Sequence, residues 1–343
     1  MLGLDIGSSA VKLVELSRHN HGYRLEACAI EPLAQGAIQD KGVHDVTAVA
    51  AAIRRAVANS GTRQRQVAAA VGGGIAMTKV ITMPTGLSDL EMEEQIALEA
   101  SQSISYPLDE VNLDFEVLGP TAAGNRMEVL LAATRSDHVD NHYMAVEMAG
   151  LELKVLDIEA YALENAFPVY VSQIPEHGAG RTVAVVDIGH SVTTINVLQN
   201  GEGIYQQSQG FGCGQLLDAL RNEAGMEVEE ALRHLRQGRL AEALRTNILL
   251  PFRDGVVRQV HRLVQLFQNS SQATSLDHIL LSGGGALLPE VAAGVRGQTG
   301  LSTGVFELQR PLEFAPQLNR VALQHQAPTL LVALGLGVRG TMS

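Results

Sequence analysis

Leu4-Asp5-Ile6-Gly7-Ser8-Ser9-Ala10-Val11-Lys12-Leu13 occurs twice in this chain, the second time as Val186-Asp187-Ile188-Gly189-His190-Ser191-Val192-Thr193-Thr194-Ile195, shifted by 182. Each copy is an apolar run ending in Asp, then Ile-Gly, small polar residues and a second strand-like run. Two such runs joined by a Gly-Ser turn predict a β-hairpin. Gly lets backbone N–H groups approach an anion, and Ser or Thr hydroxyls add donors beside them. An Asp at the strand end repels phosphate but holds a hydrated Mg²⁺ that a phosphate shares. One such turn could simply end a strand. Two, at equivalent places in two halves, point to a clamp around a polyphosphate, and duplicated hairpins without a ligand are the alternative.

The 343 residues suffice for about two domains with full cores. A formal charge of −12 and the lack of Trp argue against nucleic acid or anionic lipid as the main ligand. Cys28 and Cys213 are the only cysteines, which excludes a disulfide framework and suits a reducing compartment. Met1 leads straight into a strand, so no signal peptide is expected, and the longest apolar runs fall short of the ~20 residues that span a bilayer. A soluble cytoplasmic protein without membrane insertion is the expectation.

In chain order, Leu2–Ile6, Val11–Leu16 and Tyr23–Ile30 read as consecutive strands. Lys12 interrupts an apolar strand and needs either an anion or an exit to water. Residues 45 to 59 have helical spacing ended by Gly61, and strands at Val67–Val71 and Met77–Met83 flank Gly72-Gly73-Gly74. The character changes at Pro84. Ser88-Asp89-Leu90-Glu91 has capping-box spacing, predicting a helix from Asp89 to about Ser103. The turn Tyr106-Pro107-Leu108 follows, then strands at Asn112–Leu118 and Met127–Ala133 and a helix from Asp137 to Met148. His138 and His142 lie one turn apart on that helix, but no third metal ligand is suggested, and a solvated helix face is the simpler account.

Leu153–Asp157 is read as a strand resuming the first domain, followed by a helix through 158–166. The loop 172–181 marks a domain boundary. The second domain opens with the repeated hairpin and a third strand, Gly203–Ser208, followed by a helix from Gly214 to Ala224. Residues 227–246 form a charged helical lobe, and a long amphipathic helix runs from about Pro251 to Asn269. The strand His278–Leu281 delivers Gly283-Gly284-Gly285, a seat where a nucleoside could lie against backbone, or a plain βα turn. A small-residue helix, Thr329–Val338, closes the chain.

This ordered set resembles the actin-like ATPase superfamily: hairpins at 5 and 187, a connecting helix at 158, a triple-glycine turn at 283 and a small-residue closing helix. The block at 84–150 resembles the extra subdomain, termed 1C, of FtsA-type proteins. The runs Leu87-Ser88-Asp89-Leu90-Glu91, Tyr106-Pro107-Leu108-Asp109-Glu110-Val111 and Asp157-Ile158-Glu159-Ala160-Tyr161-Ala162-Leu163-Glu164 are similar to the PilM family of type IV pilus assembly. The resemblance implies an α/β, ribonuclease H-like duplicated two-domain fold with an inserted 1C. The first domain would take residues 1–83 and 151–171 with the closing helix 327–340. The insert would be 84–150, and the second domain 182–326, including the lobe at 227–246.

By position, the resemblance implies that Asp5 and Asp187 hold Mg²⁺ through water. Gly7, Ser8, Ser9, Gly189, His190 and Ser191 would cradle the phosphates of ATP or ADP, with Lys12 neutralising them. Glu159 would orient a hydrolytic water, and Gly283, Gly284, Gly285 and Arg262 would border the adenosine. Several positions depart from the pattern: Gln259 stands for Glu, Leu263 for a small hydroxyl residue, Glu290 for Gly, and Cys213 and Leu217 within a Gly-Gly…Thr pattern. Each lost polar contact costs about 1–3 kcal/mol, so slow or absent ATPase activity is expected.

The implied role is a nucleotide-binding scaffold of the type IV pilus inner-membrane complex, supporting twitching motility. Its partner would be the N-terminal cytoplasmic tail of PilN, lying in a groove lined by Tyr106, Pro107 and Leu108. Recruitment to the inner membrane would then pass through that partner. Pilus motor ATPases or regulators, and a second copy of the chain, are further partners the resemblance admits. An FtsA-like filament protein and a small-molecule kinase are the other classes. The first would carry a C-terminal amphipathic helix, and the second a transfer base beyond Glu159.

Overall fold

The computed structural model describes residues 1–341 except 21, 40, 105, 122–123 and 271–274. Leu2–Ile6 pairs antiparallel with Ala10–His19, which pairs antiparallel with Gly22–Pro32. On its other side Leu2–Ile6 runs parallel to Gln66–Val71, and that strand runs parallel to Glu152–Ile158. The second half repeats the plan: Thr182–Ile188 lies antiparallel to Thr193–Gln199 and parallel to His278–Ser282, with Glu202–Gln209 and Ser302–Val305 at the edges. The duplicated hairpins are therefore the first two strands of two equivalent sheets. Leu2–Ile6 is buried at every residue, as a strand covered on both faces must be, which explains its unbroken apolar run.

Helices cover the sheets where the sequence places them. Val46–Ser60 is capped by the Asp45 side chain, which accepts the Ala48 N–H at 2.9 Å, and ends at Gly61 with φ 69°. Leu250–Ser270 buries Val256, Val260, Leu263, Val264 and Phe267 against the second sheet. The charged lobe is a small cluster of its own, in which Leu216, Leu217 and Leu220 meet Ala231, Ile248 and Leu249.

The closing helix, Leu331–Arg339, is buried from Leu331 to Val338. It lies so close on the first strand that a Cβ at Gly3 would fall 2.1 Å from the Ala333 carbonyl oxygen and 2.4 Å from Gly337 N. Its core joins residues of both sheets, Val14 and Leu25 from the first and Val183 and Leu280 from the second. Just before it, the Pro328 carbonyl accepts the Gly283 N–H at 2.7 Å, tying the triple-glycine turn to this segment.

A separate three-stranded sheet runs in the order Ala76–Pro84, Arg126–Arg135, Val111–Pro120. The helix Asp89–Ser103 lies on one face, packing Ile96 with Ile81, Met83, Val129 and Leu131. Its capping box is formed, the Ser88 N–H donating to Glu91 Oε2 at 2.9 Å and the Glu91 N–H to Ser88 Oγ at 3.4 Å.

Two strand pairings and one helix packing correct the domain limits read from the sequence. The strand at 76–84, expected in the first domain, belongs to the inserted sheet through its pairing with Arg126–Arg135. The helix Ser136–Met148, expected in the insert, packs Ala145 and Val146 into the core of the first half beside Val49 and Ile53. The strand Leu312–Phe314, within the range expected for the second domain, joins the first sheet alongside Tyr23, Arg24 and Leu25. Strand alternation shows that a segment is a strand but not which sheet receives it, so the limits at 84, 150 and 326 each moved. His142 is likewise not on a solvated face: it is buried, with Nδ1 2.7 Å from the His138 carbonyl oxygen.

Candidate functional site

The strand register sets Asp5 directly opposite Lys12, and Asp187 directly opposite Thr194. Each hairpin turn is closed by the same backbone bond, Gly7 N–H to Ala10 at 3.1 Å and Gly189 N–H to Val192 at 3.0 Å. The two turns are thus built alike, with Ser9 and Ser191 exposed at equivalent tips. Lys12 Nζ donates to Asp5 Oδ2 at 2.8 Å. Ser282 Oγ donates to Asp187 Oδ2 at 3.0 Å across neighbouring strands. Lys41 Nζ lies 3.9 Å from Glu159 Oε2.

These groups act on one another electrostatically. Burial lowers the Lys12 pKa, but Asp5, helped by Asp187 and Glu159, more than reverses this and the pKa is raised. Burial raises Asp187; Lys12 and the Ser282 hydroxyl work against that rise, and Asp5 works with it. Burial also raises Glu159, opposed by Lys41 and reinforced by Asp5 and Asp187. Three carboxylates and two ammonium groups from both halves therefore meet in one partly desolvated place.

Of the residues named from sequence, Asp5, Lys12, Glu159 and Asp187 come together here, with the turns carrying Gly7, Ser8, Ser9, Gly189, His190 and Ser191. The His190 ring lies against Gly214, and burial lowers its pKa, opposed by Asp218. The triple-glycine turn divides by role. A Cβ at Gly283, whose φ is 79°, would fall 2.5 Å from the Ile188 carbonyl oxygen, and one at Gly285 would fall 2.2 Å from Ile188 Cγ2. Those two glycines serve packing. Gly284 has nothing within 4 Å of its Cβ position and is exposed, so it alone presents open backbone.

Arg262 lies exposed on the long helix and makes no ion pair among the described residues. Leu263 is fully buried in the second core, and Gln259 Oε1 is buried without a hydrogen-bond partner among the described residues. Glu290 adopts φ 63°, the left-handed conformation that glycine supplies most easily, and its carboxylate pairs with Arg253. That backbone conformation is one a glycine would adopt here without strain.

The sequence reading missed two members of the cluster. Ser282 carried a signal, since it immediately precedes Gly283 at the end of a strand. Lys41 lies in a turn with no motif around it.

The family model for Type IV pilus assembly protein PilM matches residues 3–341. The chain belongs to the PilM family. Among solved structures, the PilM-PilN type IV pilus biogenesis complex is 26 % identical over 99 % of this chain and 98 % of the other, at TM-score 0.82. The ethanolamine utilisation protein EutJ from Carboxydothermus hydrogenoformans is 17 % identical, covering 98 % and 88 % of the two chains, at TM-score 0.53. An archaeal actin homologue in complex with ADP is 12 % identical, covering 100 % and 99 %, at TM-score 0.51. The last two share the fold, so this PilM-family chain is actin-like in fold. Among its described residues no helix is long and apolar enough to cross a membrane.

The Tyr106-Pro107-Leu108 turn sits at the root of the inserted sheet, where Val111 pairs with Arg135. The Arg135 guanidinium carbon lies 5.2 Å from the Tyr106 ring centroid, and Tyr106 is 50 % exposed. On the sheet face away from its helix, Thr78 reaches Tyr161, and Glu116 lies close enough to influence Asp157. A seam between the inserted sheet and the first half thus runs along Asp157 and Tyr161.

Proposed function

We propose that this protein is a nucleotide-binding scaffold of type IV pilus assembly that takes the N-terminal cytoplasmic tail of PilN in the seam beside the inserted sheet. The observation that carries the reading is the full-length match to the PilM-PilN complex. The charged cleft supports the nucleotide part. Two like-built turns offer backbone and hydroxyl donors, Lys12 supplies positive charge, and Asp5 and Asp187 suit a Mg²⁺ that keeps most of its waters. The open backbone at Gly284 suits the ribose or base of ATP or ADP. Mg²⁺ would neutralise phosphate charge between the two aspartates, and Glu159 would orient the water. With Leu263 buried in the core, fewer groups remain to grip the nucleoside, so the cleft reads as a binding site with slow turnover.

Membrane recruitment would follow from the partner, whose tail would lie against Tyr106, Pro107, Leu108 and the neighbouring strands, with apolar pockets giving selectivity. Calorimetry with Mg-ATP, with and without a peptide of the PilN tail, tests both parts. Binding of the peptide at micromolar affinity or better and of Mg-ATP is the expected result. Failure of the peptide to bind would remove the scaffold reading, and failure of Mg-ATP would remove the nucleotide reading.

A further inference from the structure

Lys41 is the member of the charged cleft that the two hairpins leave unexplained. It lies in the turn of a small hairpin whose strands Ile38–Gln39 and Gly42–Val43 pair, and its φ is 65°. Tight hairpin turns at positive φ suit Gly or Asn, because a longer side chain's Cβ crowds the backbone there. A lysine bearing that strain is a reason to ask what its side chain does. The stem runs along the turn 72–74: a Cβ at Gly72 would fall 2.9 Å from Lys41 Cδ, and one at Gly74 3.5 Å from it. These glycines, conspicuous in the sequence, clear a channel for the lysine.

The ammonium at the end of that channel has donors to spare. The side chain is 15 % exposed, and Nζ stands 3.9 Å from Glu159 Oε2, too far for a hydrogen bond. Among the described residues Nζ forms no hydrogen bond, so its three N–H donors are left to water and remain free to take a ligand. Lys12, by contrast, is committed to Asp5 at 2.8 Å. Without Lys41, three carboxylates would face one ammonium, a field that repels a polyphosphate.

We propose that Lys41 is the second phosphate-binding cation of the cleft, contacting the terminal phosphate of a nucleoside triphosphate and holding Glu159 beside it. The inference rests on the nucleotide reading of the cleft. The open Gly284 places the nucleoside on the second half. Lys41 and Glu159 project from the first half, next to the 72–74 turn that abuts Gln206 of the second. They therefore meet the far end of a phosphate chain, and a diphosphate stops short of them.

Calorimetric titration of the full chain and of Lys41→Met, Lys41→Arg and Gly72→Ala, each with Mg-ADP and with a Mg-bound non-hydrolysable ATP analogue, tests this. Lys41→Met should weaken the triphosphate about tenfold or more and the diphosphate by less than about threefold, as loss of one charge-assisted contact predicts. Lys41→Arg should recover most of the loss. Gly72→Ala, which pushes the lysine stem aside without altering any charge, should also erode the preference for triphosphate. Equal weakening of both nucleotides, or an unchanged preference in both Lys41→Met and Gly72→Ala, overturns the role of Lys41 alone. A wild-type protein that binds neither nucleotide overturns the nucleotide reading and Lys41 with it.

Discussion

Gly335 of the closing helix and Ala162 of the connecting helix meet backbone to backbone: a Cβ at Gly335 would fall 1.7 Å from the Ala162 carbonyl oxygen. Nothing flexible can yield there, because the obstacle is main chain in a buried helix. Gly335→Ala should therefore cost about 3 kcal/mol or more of stability, read by urea unfolding. Near-wild-type stability would show that the two helices are held less tightly than this contact states.

Gly284→Ala is the contrasting case. With open space at its Cβ position, the substitution should leave unfolding within about 0.5 kcal/mol of wild type while lowering nucleotide affinity. Gly285→Ala should do the reverse, losing stability first, since its Cβ would strike Ile188. Equal tolerance at 284 and 285 in both assays would contradict the division of that turn.

Asp187 and Glu159 predict an opposing effect of charge on stability and on binding. Burial raises both carboxylates above their ordinary values of 3.8 and 4.5, so the folded state holds their protons more tightly than the unfolded one. Their contribution to stability is therefore greatest in acid and is lost as the pH rises through the raised values. Asp187→Asn should melt at a higher temperature than wild type near neutral pH, with the advantage shrinking toward about pH 4, and should bind Mg-ATP far more weakly. A variant that melts lower at neutral pH, or that binds Mg-ATP as wild type does, would refute this.

For the partner seam, Tyr106→Ala combined with Leu108→Ala should weaken the PilN tail peptide at least about tenfold and leave Mg-ATP affinity unchanged, as expected for exposed aromatic anchors. Point changes are the right tool. Deleting 84–150 would strip the strand 76–84 of its partner and pull Ala145 and Val146 out of the first core. Peptide binding unaffected by the double variant would place the partner elsewhere.

Burial pushes the thiols of Cys28 and Cys213 up to about 12. Neither should react with iodoacetamide at about pH 8 in the folded protein, and both should react in denaturant, because only the thiolate attacks. Mass spectrometry of the native, treated protein decides it: rapid modification of either cysteine would contradict the raised thiol pKa.

The sequence made the hairpins legible because their chemistry is local. Asp5, Gly7, Lys12, Asp187 and Gly189 are few residues apart within each copy, and duplication made the pattern visible. The long helix was legible for the same reason: its five core residues follow one periodicity. Lys41 was not, since its meaning comes from Gly72 and Glu159, far along the chain. The three-residue strand at 312–314 is too short to show alternation and exists only because the edge at Tyr23–Leu25 accepts it. Glu290 was read as a departure from a glycine pattern, and only its φ shows a backbone that glycine would adopt without strain.

Gly3 has one more consequence, for the order in which the protein folds. Gly3 takes its closest packing partners from Ala333 and Gly337, far along the chain. Until that helix arrives, the first sheet has an open apolar slot, and Leu312–Phe314 has yet to reach its edge. Contacts spanning nearly the whole chain slow the search for the native state. The two halves are therefore joined through one shared core: cutting the polypeptide at the 172–181 connection would part Val14 and Leu25 from Val183 and Leu280 while leaving each fragment a second core made of its own residues.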